Sequence, residues 1–162
     1  MPFPPTAQKI MDHPTLAHLR QDWAAEGATV VFTNGCFDLL HLGHLDYLEK
    51  AAALGDYLIV ALNSDASVRR LKGPTRPIHD IQTRARMLAA LTFTDAITVF
   101  EEDTPLALIE RLLPSVLVKG GDYDPQSIVG GDLVRAHGGC VLTIPFLEGH
   151  SSSQVIAKIQ GQ

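Results

Sequence analysis

Two histidines, His41 and His44, lie three positions apart in the segment TNGCFDLLHLGH, which covers residues 33–44 and follows the apolar run VVF. Residues three apart share one face of a helix, so the two rings would lie side by side. If the helix begins between residues 40 and 43, both rings lie in its first turn, where unpaired N–H groups and the helix dipole favour an anion. Phosphate is the usual ligand of such a helix start. The segment therefore predicts a phosphate-binding site.

The residues around the two rings support this prediction. Gly43 lies between them and has no Cβ, so a ligand or another chain segment can approach closely. Asn34 and Gly35 predict a tight turn after the strand. Asp38 is expected to cap the helix or to orient a histidine ring by accepting its other N–H. Zinc ligation by Asp38 and the two histidines is an alternative, but a zinc-protease helix carries its histidines four residues apart, with a glutamate between them.

The elements that must position these residues alternate between strand and helix. Predicted strands cover residues 28–33, 57–62, 96–100, 115–119 and 140–144. Predicted helices cover residues 14–26, 42–54, 65–71 and 80–91, then run from a cap at 103–105 to 113, within 125–137, and over 151–159. Strands without polar alternation, such as YLIVAL, are typical of a parallel sheet covered on both faces. We expect an α/β fold, a Rossmann-like doubly wound parallel sheet with helices on both faces, whose ligands bind outside the carboxyl ends of the strands.

The composition of the whole chain limits its possible functions. A formal net charge of −5 gives no overall positive field, so we expect no nucleic-acid partner. No run approaches the roughly 18 apolar residues of a membrane helix, and the first residues do not resemble a secretory signal. Two cysteines are too few for a disulfide framework, and we expect both to be reduced. A single compact domain in the cytoplasm, without membrane contact, is the simplest expectation.

The motif also carries a family resemblance. TNGCFDLLHLGH resembles the G-x-F-D-x-x-H-x-G-H signature of the cytidylyltransferase-like nucleotidyltransferases, which move a nucleoside monophosphate from a nucleoside triphosphate onto a phosphate-bearing acceptor. The segments VALNSDASVRRLKGPTRPI, FEEDTPLALIERLLPSVLVKGGDYDP and GHSSSQVIAKIQ are most similar to the D-glycero-β-D-manno-heptose 1-phosphate adenylyltransferases, found alone or fused behind a sugar kinase. The resemblance implies a stand-alone nucleotidyltransferase domain over residues 28–162, preceded by a tail and helix over 1–27.

This resemblance implies a reaction and a set of roles. The chain would transfer AMP from ATP to the heptose 1-phosphate, with Mg²⁺ held mainly through the ATP phosphates, and its product would feed the bacterial lipopolysaccharide core. His41, His44 and Lys72 would be catalytic. They would stabilise phosphate charge rather than remove a proton, because the acceptor phosphate is already anionic near neutral pH. The implied nucleotide-binding residues are Thr33, Asn34, Gly35, Cys36, Phe37, Gly43, Arg84, Lys119, Gly120, Asp122, Ser151, Ser152 and Ser153. The residues expected to bind the acceptor are Asp38, Asn63, Asp65 and Arg76.

Departures from the family pattern keep alternatives open. Arg84 follows Thr83, where many relatives carry Glu-Arg, and Ile156 occupies a position where several members carry an arginine. The same chemistry on another acceptor, such as glycerol 3-phosphate with CTP or FMN with ATP, is the main alternative. A non-catalytic nucleotide-binding module is another. A dinucleotide-binding oxidoreductase is disfavoured because no G-x-G-x-x-G follows the first strand. A homodimer is expected on family grounds.

Overall fold

The computed structural model describes residues 5–162. Five strands form one sheet in the order β3-β2-β1-β4-β5, and each neighbouring pair is parallel. The strands are β1 (Val30–Gly35), β2 (Tyr57–Asn63), β3 (Ala96–Phe100), β4 (Val116–Gly120) and β5 (Cys140–Ile144). The predicted doubly wound α/β class is confirmed. A loose tail is expected from the sequence at residues 1–5, and residues 1–4 lie outside the described part of the chain.

The predicted helices are present, with small shifts of their ends. They are α1 (His13–Ala25), α2 (Leu42–Ala52), α3 (Asp65–Lys72), α4 (Ile81–Ala89), α5 (Leu106–Leu112), α6 (Gly131–Ala136) and α7 (Ser152–Ile159). Short 3₁₀ helices, Thr6–Lys9 and Pro125–Ser127, were not predicted as such. The expected cap of α5 is wrong: Pro105 occupies the N-cap and no side chain caps the helix. Asp103 is instead paired with Arg70.

The helices cover both faces of the sheet, as expected from the unbroken apolar strands. Alternate residues of each strand point to opposite faces. Val31 and its neighbours on the same face pack against α2 and α4, whereas Phe32 and its neighbours pack against α1, α5 and α6. Leu16 and Trp23 of α1 belong to this second core, and the Trp23 ring stacks on that of Tyr57. The leading helix therefore packs on its own sheet.

The order of the strands fixes where a ligand can enter. From β1 the chain runs outward to β2 and β3, and it then returns to place β4 on the other side of β1. The connections after β1 and β4 therefore leave in opposite directions, which opens a crevice at the carboxyl ends of these two strands. The histidine segment follows β1, so it lies at this switch point.

Candidate functional site

A cavity of about 740 Å³ lies at the carboxyl ends of the strands. It is lined by residues that follow all five strands, including both histidines of the motif. Three basic side chains, Lys72, Arg76 and Lys119, line it together with only two carboxylates, those of Asp38 and Asp103. The cavity is therefore suited to an anionic ligand.

The two histidines lie at the start of α2, as the spacing predicted. His41 is the N-cap residue, α2 begins at Leu42, and the ring of His44 stacks on that of His41 with 3.8 Å between centroids and 22° between planes. Both Nδ1 atoms are buried and lack a hydrogen-bond partner within residues 5–162. Buried polar atoms without partners are rare, and they are found where a ligand or catalysis requires them.

The environment of the two rings keeps them neutral near neutral pH. Burial lowers the pKa of His44 to about 4, and the neighbouring His41 lowers it further, against the opposing effect of the Leu39 carbonyl. Burial also lowers the pKa of His41, with a smaller contribution from His150. A neutral imidazole carries one N–H donor, so each ring can donate a hydrogen bond to a phosphate oxygen without first losing a proton.

Gly43 allows another chain segment to approach closely, which is one of the two possibilities expected from the sequence. A Cβ at this position would lie 3.0 Å from Nδ1 of His41 and 3.1 Å from Cβ of His150. The missing side chain thus lets the His41 ring and the segment before α7 pack against α2. Gly43 is buried and its position does not line the cavity, so its part in nucleotide binding stays a prediction.

The segment at the end of β1 packs next to the histidine rings. Asn34 and Gly35, which were expected to form a turn, are instead the last two residues of β1, and the chain leaves the strand at Cys36 and Phe37; all four line the cavity. Phe37 has a positive φ of 47°, and its ring lies 5.2 Å from that of His44, tilted by 58°. A Cβ on Gly35 would lie 2.8 Å from the Phe37 ring, so this glycine makes room for that ring.

Thr33 is buried beneath the cavity and does not line it, and its predicted part in nucleotide binding stays untested. Its hydroxyl bonds to that of Tyr47, which in turn donates to the carbonyl of Val118. This bridge joins β1 to β4 under the cavity. Burial raises the pKa of Tyr47 to about 12, so this phenol stays protonated. Tyr47 lines the cavity, and the sequence analysis did not identify it.

Asp38 neither caps α2 nor orients a histidine. Its carboxylate accepts hydrogen bonds from Nε of Arg76 at 2.8 Å, from the backbone N–H of Ile78 at 2.7 Å and from that of His79 at 2.8 Å. Burial alone would raise the pKa of Asp38, but the hydrogen bonds of His79, Ile78 and Arg76 hold it below its usual value. Asp38 therefore fixes the loop after α3 against the end of β1.

Arg84 is a buried side chain that bonds to protein groups. Its side chain is fully buried, and its guanidinium donates to the carbonyls of Cys36, Asn63 and His79 and to the carboxylate of Asp65. Neither Arg84 nor Asp65 lines the cavity. The pair ties the ends of β1 and β2 to the following loop, and its predicted contacts with nucleotide and acceptor stay untested.

Three predicted residues from the segments after β2 do reach the cavity. Lys72 ends α3 as an exposed side chain, followed by Gly73 with φ 104°, and Arg76 lines the cavity while paired with Asp38. Asn63 is buried, and its amide donates to the hydroxyl of Ser67 at 3.0 Å. These positions agree with the expected proximity to an anionic ligand, whereas the roles themselves stay predictions.

The glycines after β4 accommodate an aromatic ring. Lys119 and Gly120 line the cavity, but Asp122 is exposed and does not. A Cβ on Gly120 would lie 2.6 Å from the ring of Phe146, so the space expected for a base edge is taken by that ring. Burial lowers the pKa of Lys119, which also lies 5.7 Å from the ring centroid of Tyr123.

The three serines bring a second helix start to the cavity. Ser151 caps α7 by accepting from the N–H of Gln154, and the hydroxyl of Ser152 donates to the carbonyl of Leu39 at 3.2 Å. Ser151, Ser152 and Ser153 all line the cavity. The starts of α2 and α7 thus face the same space, and each presents unpaired N–H groups to an anion.

Several lining residues were missed in the sequence. They follow strands outside the family motif, and neither spacing nor composition singled them out. They are Tyr47, Asp103, Thr104, Tyr123, Phe146 and His150. His150 precedes the serine run, so its position beside the predicted start of α7 was the one available signal.

Metal and membrane features were also examined in residues 5–162. This part of the chain contains no group of three or more histidine, cysteine, aspartate or glutamate residues placed to hold a metal ion, and the zinc alternative gains no support. None of its helices combines the length and apolar character needed to cross a bilayer.

Comparison with known proteins gives consistent results. The chain is 59% identical over 133 residues to the bifunctional protein HldE of Syntrophotalea carbinolica, covering 82% of this chain and 27% of that protein. It is 54% identical over 151 residues to the bifunctional protein HldE of Trichlorobacter lovleyi, covering 93% of this chain and 31% of the relative. The chain thus spans about a third or less of these relatives.

Two solved structures share the fold. The lipopolysaccharide core biosynthesis protein from Thermoplasma volcanium superposes with a TM-score of 0.60 and 27% identity, over 76% of this chain and all of that chain. A pantoate–β-alanine ligase from Francisella tularensis has a TM-score of 0.59 at 17% identity, covering 93% of this chain and 76% of the ligase, and it shows the fold alone. The cytidylyltransferase-like family profile matches residues 32–158. With its stacked histidines at the switch point of a doubly wound sheet, the chain belongs to the cytidylyltransferase-like family.

Proposed function

We propose that this chain is an adenylyltransferase that transfers AMP from ATP to D-glycero-β-D-manno-heptose 1-phosphate, giving ADP-heptose and pyrophosphate. The observation that carries the proposal is the stacked pair His41–His44, which shares one basic cavity with the starts of two helices. The sequence resemblance to the heptose adenylyltransferases supports the acceptor. So does the similarity to the HldE proteins and to a lipopolysaccharide core biosynthesis protein.

The reaction is an in-line displacement. An oxygen of the acceptor phosphate attacks the α-phosphorus, the bond from the α-phosphorus to the bridging oxygen breaks, and pyrophosphate leaves with the electron pair. No proton has to be removed from the acceptor, because its phosphate is already anionic near neutral pH. The protein therefore has to align the two phosphates and stabilise the charge that develops between them.

The residues of the cavity fit these two tasks. His41 and His44 would donate N–H hydrogen bonds to the phosphate chain, together with the backbone at the starts of α2 and α7. Lys72 and Lys119 would add positive charge from opposite sides of β1. Removing one such preorganised donor typically lowers kcat by about 10²–10³, or about 3–4 kcal/mol.

The carboxylates of the cavity bear on how Mg²⁺ would bind. Asp38 is saturated by Arg76 and two backbone N–H groups, and Asp103 is paired with Arg70. These carboxylates are therefore poorly suited to form an all-protein metal cage. They are compatible with Mg²⁺ that enters as part of the substrate, bound to the ATP phosphates and to water.

A panel of substrates tests this function. The purified chain would be incubated with Mg²⁺, ATP or CTP, and heptose 1-phosphate, glycerol 3-phosphate or FMN, and pyrophosphate release would be measured. We expect release with ATP and heptose 1-phosphate, and none from the His41→Ala, His44→Ala double variant. Release with CTP and glycerol 3-phosphate alone would overturn the acceptor. ATP binding without release for any acceptor would favour a non-catalytic module.

We further propose a cytoplasmic homodimer. The proposed substrate ATP and the two free cysteines, Cys36 and Cys140, support the compartment. The dimer rests on family grounds. Sedimentation equilibrium tests it: a mass of twice 17.5 kDa is expected, and a monomer at micromolar concentration would contradict it.

A further inference from the structure

The strand order divides the cavity into two sides with different chemistry. The β4–β5 side consists of the lining residues that follow these strands: Lys119, Tyr123, Phe146 and the three serines. The β2–β3 side consists of those that follow the other pair: Asn63, Lys72, Arg76, Asp103 and Thr104. The histidine pair follows β1 and so lies between the two sides.

In-line transfer requires that the attacking and leaving oxygens approach the α-phosphorus from opposite directions. The serines at the start of α7 suit the departing pyrophosphate, because their hydroxyls and N–H groups accumulate on the β4–β5 side. The acceptor phosphate must then arrive from the β2–β3 side. Lys72 and Arg76 supply positive charge for it there.

Asp103 and Thr104 are polar residues of the β2–β3 side whose side chains do not cap α5. They were expected to cap α5, but Pro105 holds the N-cap position and no side chain bonds to the helix start. Oδ1 of Asp103 accepts from Nε of Arg70 at 2.8 Å, which orients the carboxylate. Both residues are exposed and line the cavity, and within residues 5–162 Oδ2 of Asp103 and the hydroxyl of Thr104 bond to no protein group, so both atoms are open to a ligand.

A carboxylate oxygen beside a hydroxyl matches the hydroxyl groups of a sugar, because the carboxylate accepts and the threonine can donate or accept. We propose that Asp103 and Thr104 bind hydroxyl groups of the acceptor while Lys72 and Arg76 bind its phosphate. This subsite selects polyhydroxylated phosphate acceptors. The inference rests on the proposed adenylyltransferase function and adds the location of its acceptor.

Two isosteric variants test the subsite. Asp103→Asn keeps the shape and removes the charge, and Thr104→Val removes the hydroxyl. We expect the KM for heptose 1-phosphate to rise about tenfold or more in Asp103→Asn and about fivefold in Thr104→Val, since lost hydrogen bonds to charged groups weigh more. The KM for ATP should change less than about twofold in both, because the nucleotide lies on the other side.

Two controls separate binding from a structural effect. Asp132→Asn makes the same change at an exposed aspartate paired with Arg135 on α6, outside the cavity, and should leave both KM values unchanged. Arg70→Gln removes the partner of Asp103 but no lining group, so we expect a smaller rise in acceptor KM than for Asp103→Asn.

The outcomes distinguish this inference from the proposed function. Unchanged acceptor KM in both isosteric variants of an active enzyme would overturn the subsite alone. A rise in the KM for ATP, or an effect of Arg70→Gln equal to that of Asp103→Asn with a lowered Tm, would also overturn it. A wild-type chain that releases no pyrophosphate with any acceptor would refute the proposed function and the subsite together.

Discussion

The β2–β3 side of the cavity is held by buried ion pairs, whereas the β4–β5 side is held by a helix start, hydroxyl groups and aromatic rings. On the first side, Arg84 and Asp38 are buried and bond to backbone groups of neighbouring loops. On the second, the rings of Tyr123 and Phe146 are more than half exposed beside the serines of α7. On the β2–β3 side, buried charges fix the loops and the cations Lys72 and Arg76 line the cavity, whereas Lys119 is the lining cation of the β4–β5 side.

In this structure the buried charge of Arg84 holds neighbouring loops and does not line the cavity. A buried guanidinium satisfied by carbonyls rigidifies the loops that carry the exposed cations, and removing it leaves several acceptors unpaired. Lys72 and Arg76 remain at the cavity because their loop is fixed in this way. The ion pairs of the β2–β3 side thus contribute to ligand binding by positioning the loop that carries Lys72 and Arg76.

The largest expected effect comes from Arg84→Met. The change leaves the carbonyls of Cys36 and Asn63 and the carboxylate of Asp65 without their partner, so the free energy of unfolding should fall by about 3–5 kcal/mol. Urea unfolding measures this fall. Arg86→Met on the exposed face of α4, where the arginine bonds to Thr6, is the matched control and should lose less than about 1 kcal/mol. Equal losses in the two variants would contradict the buried role.

For the histidine pair we expect the reverse pattern, a large loss of activity with little change in stability. His41→Ala and His44→Ala should each lower kcat by about 10²–10³ while changing Tm little, because within residues 5–162 the two buried Nδ1 atoms have no hydrogen-bond partner to lose. Steady-state pyrophosphate release and thermal unfolding give the two values. His18→Ala, at an exposed position of α1, serves as control. Near-normal kcat in both cavity variants would remove the histidines from the mechanism.

A pH series adds a further test, because the ring of His44 and the carboxylate of Asp38 titrate in different ranges. The pKa of His44 is about 4 in the folded chain and 6.5 ordinarily, so the unfolded chain binds more protons between these values. Stability should therefore fall as the pH drops from 6.5 to 4, and His44→Gln should reduce this fall by about 1–3 kcal/mol. Asp38, whose pKa is below 3.8, loses its contribution only in more acidic solution.

Urea unfolding at neutral pH and at roughly pH 4.5 measures this slope, with His18→Gln as the control. An identical slope in wild type and His44→Gln would show that the ring is not held neutral by its environment.

The smallest expected effect comes from Gly120→Ala, on the β4–β5 side. Gly120→Ala would place a Cβ 2.6 Å from the ring of Phe146, which is 60% exposed and can move away. We expect a loss of about 1 kcal/mol in stability and a modest rise in the KM for ATP. Phe146→Ala in the same chain should abolish the added cost, so the two changes should be coupled in a double-mutant cycle. Additive effects would show that Gly120 is not needed to make room for the Phe146 ring.

The sequence predicted the features that depend on local pattern. The parallel sheet, the helix start at His41 and the serine start of α7 follow from apolar runs, spacing and capping residues. The features it did not predict depend on distant contacts. Asp38 meets Arg76 across 38 positions, Arg84 meets the carbonyl of Cys36 across 48, and Ser152 meets Leu39 across 113. Spacing alone cannot distinguish a carboxylate that binds a loop from one that caps a helix.

The most direct test of the account is a crystal structure of the chain with Mg²⁺ and the non-hydrolysable analogue α,β-methylene-ATP. The account predicts phosphate oxygens within hydrogen-bond distance of both imidazole rings, with the terminal phosphates at Ser151–Ser153 and the α-phosphate open toward Asp103. A phosphate chain bound away from His41 and His44 would contradict the proposed mechanism.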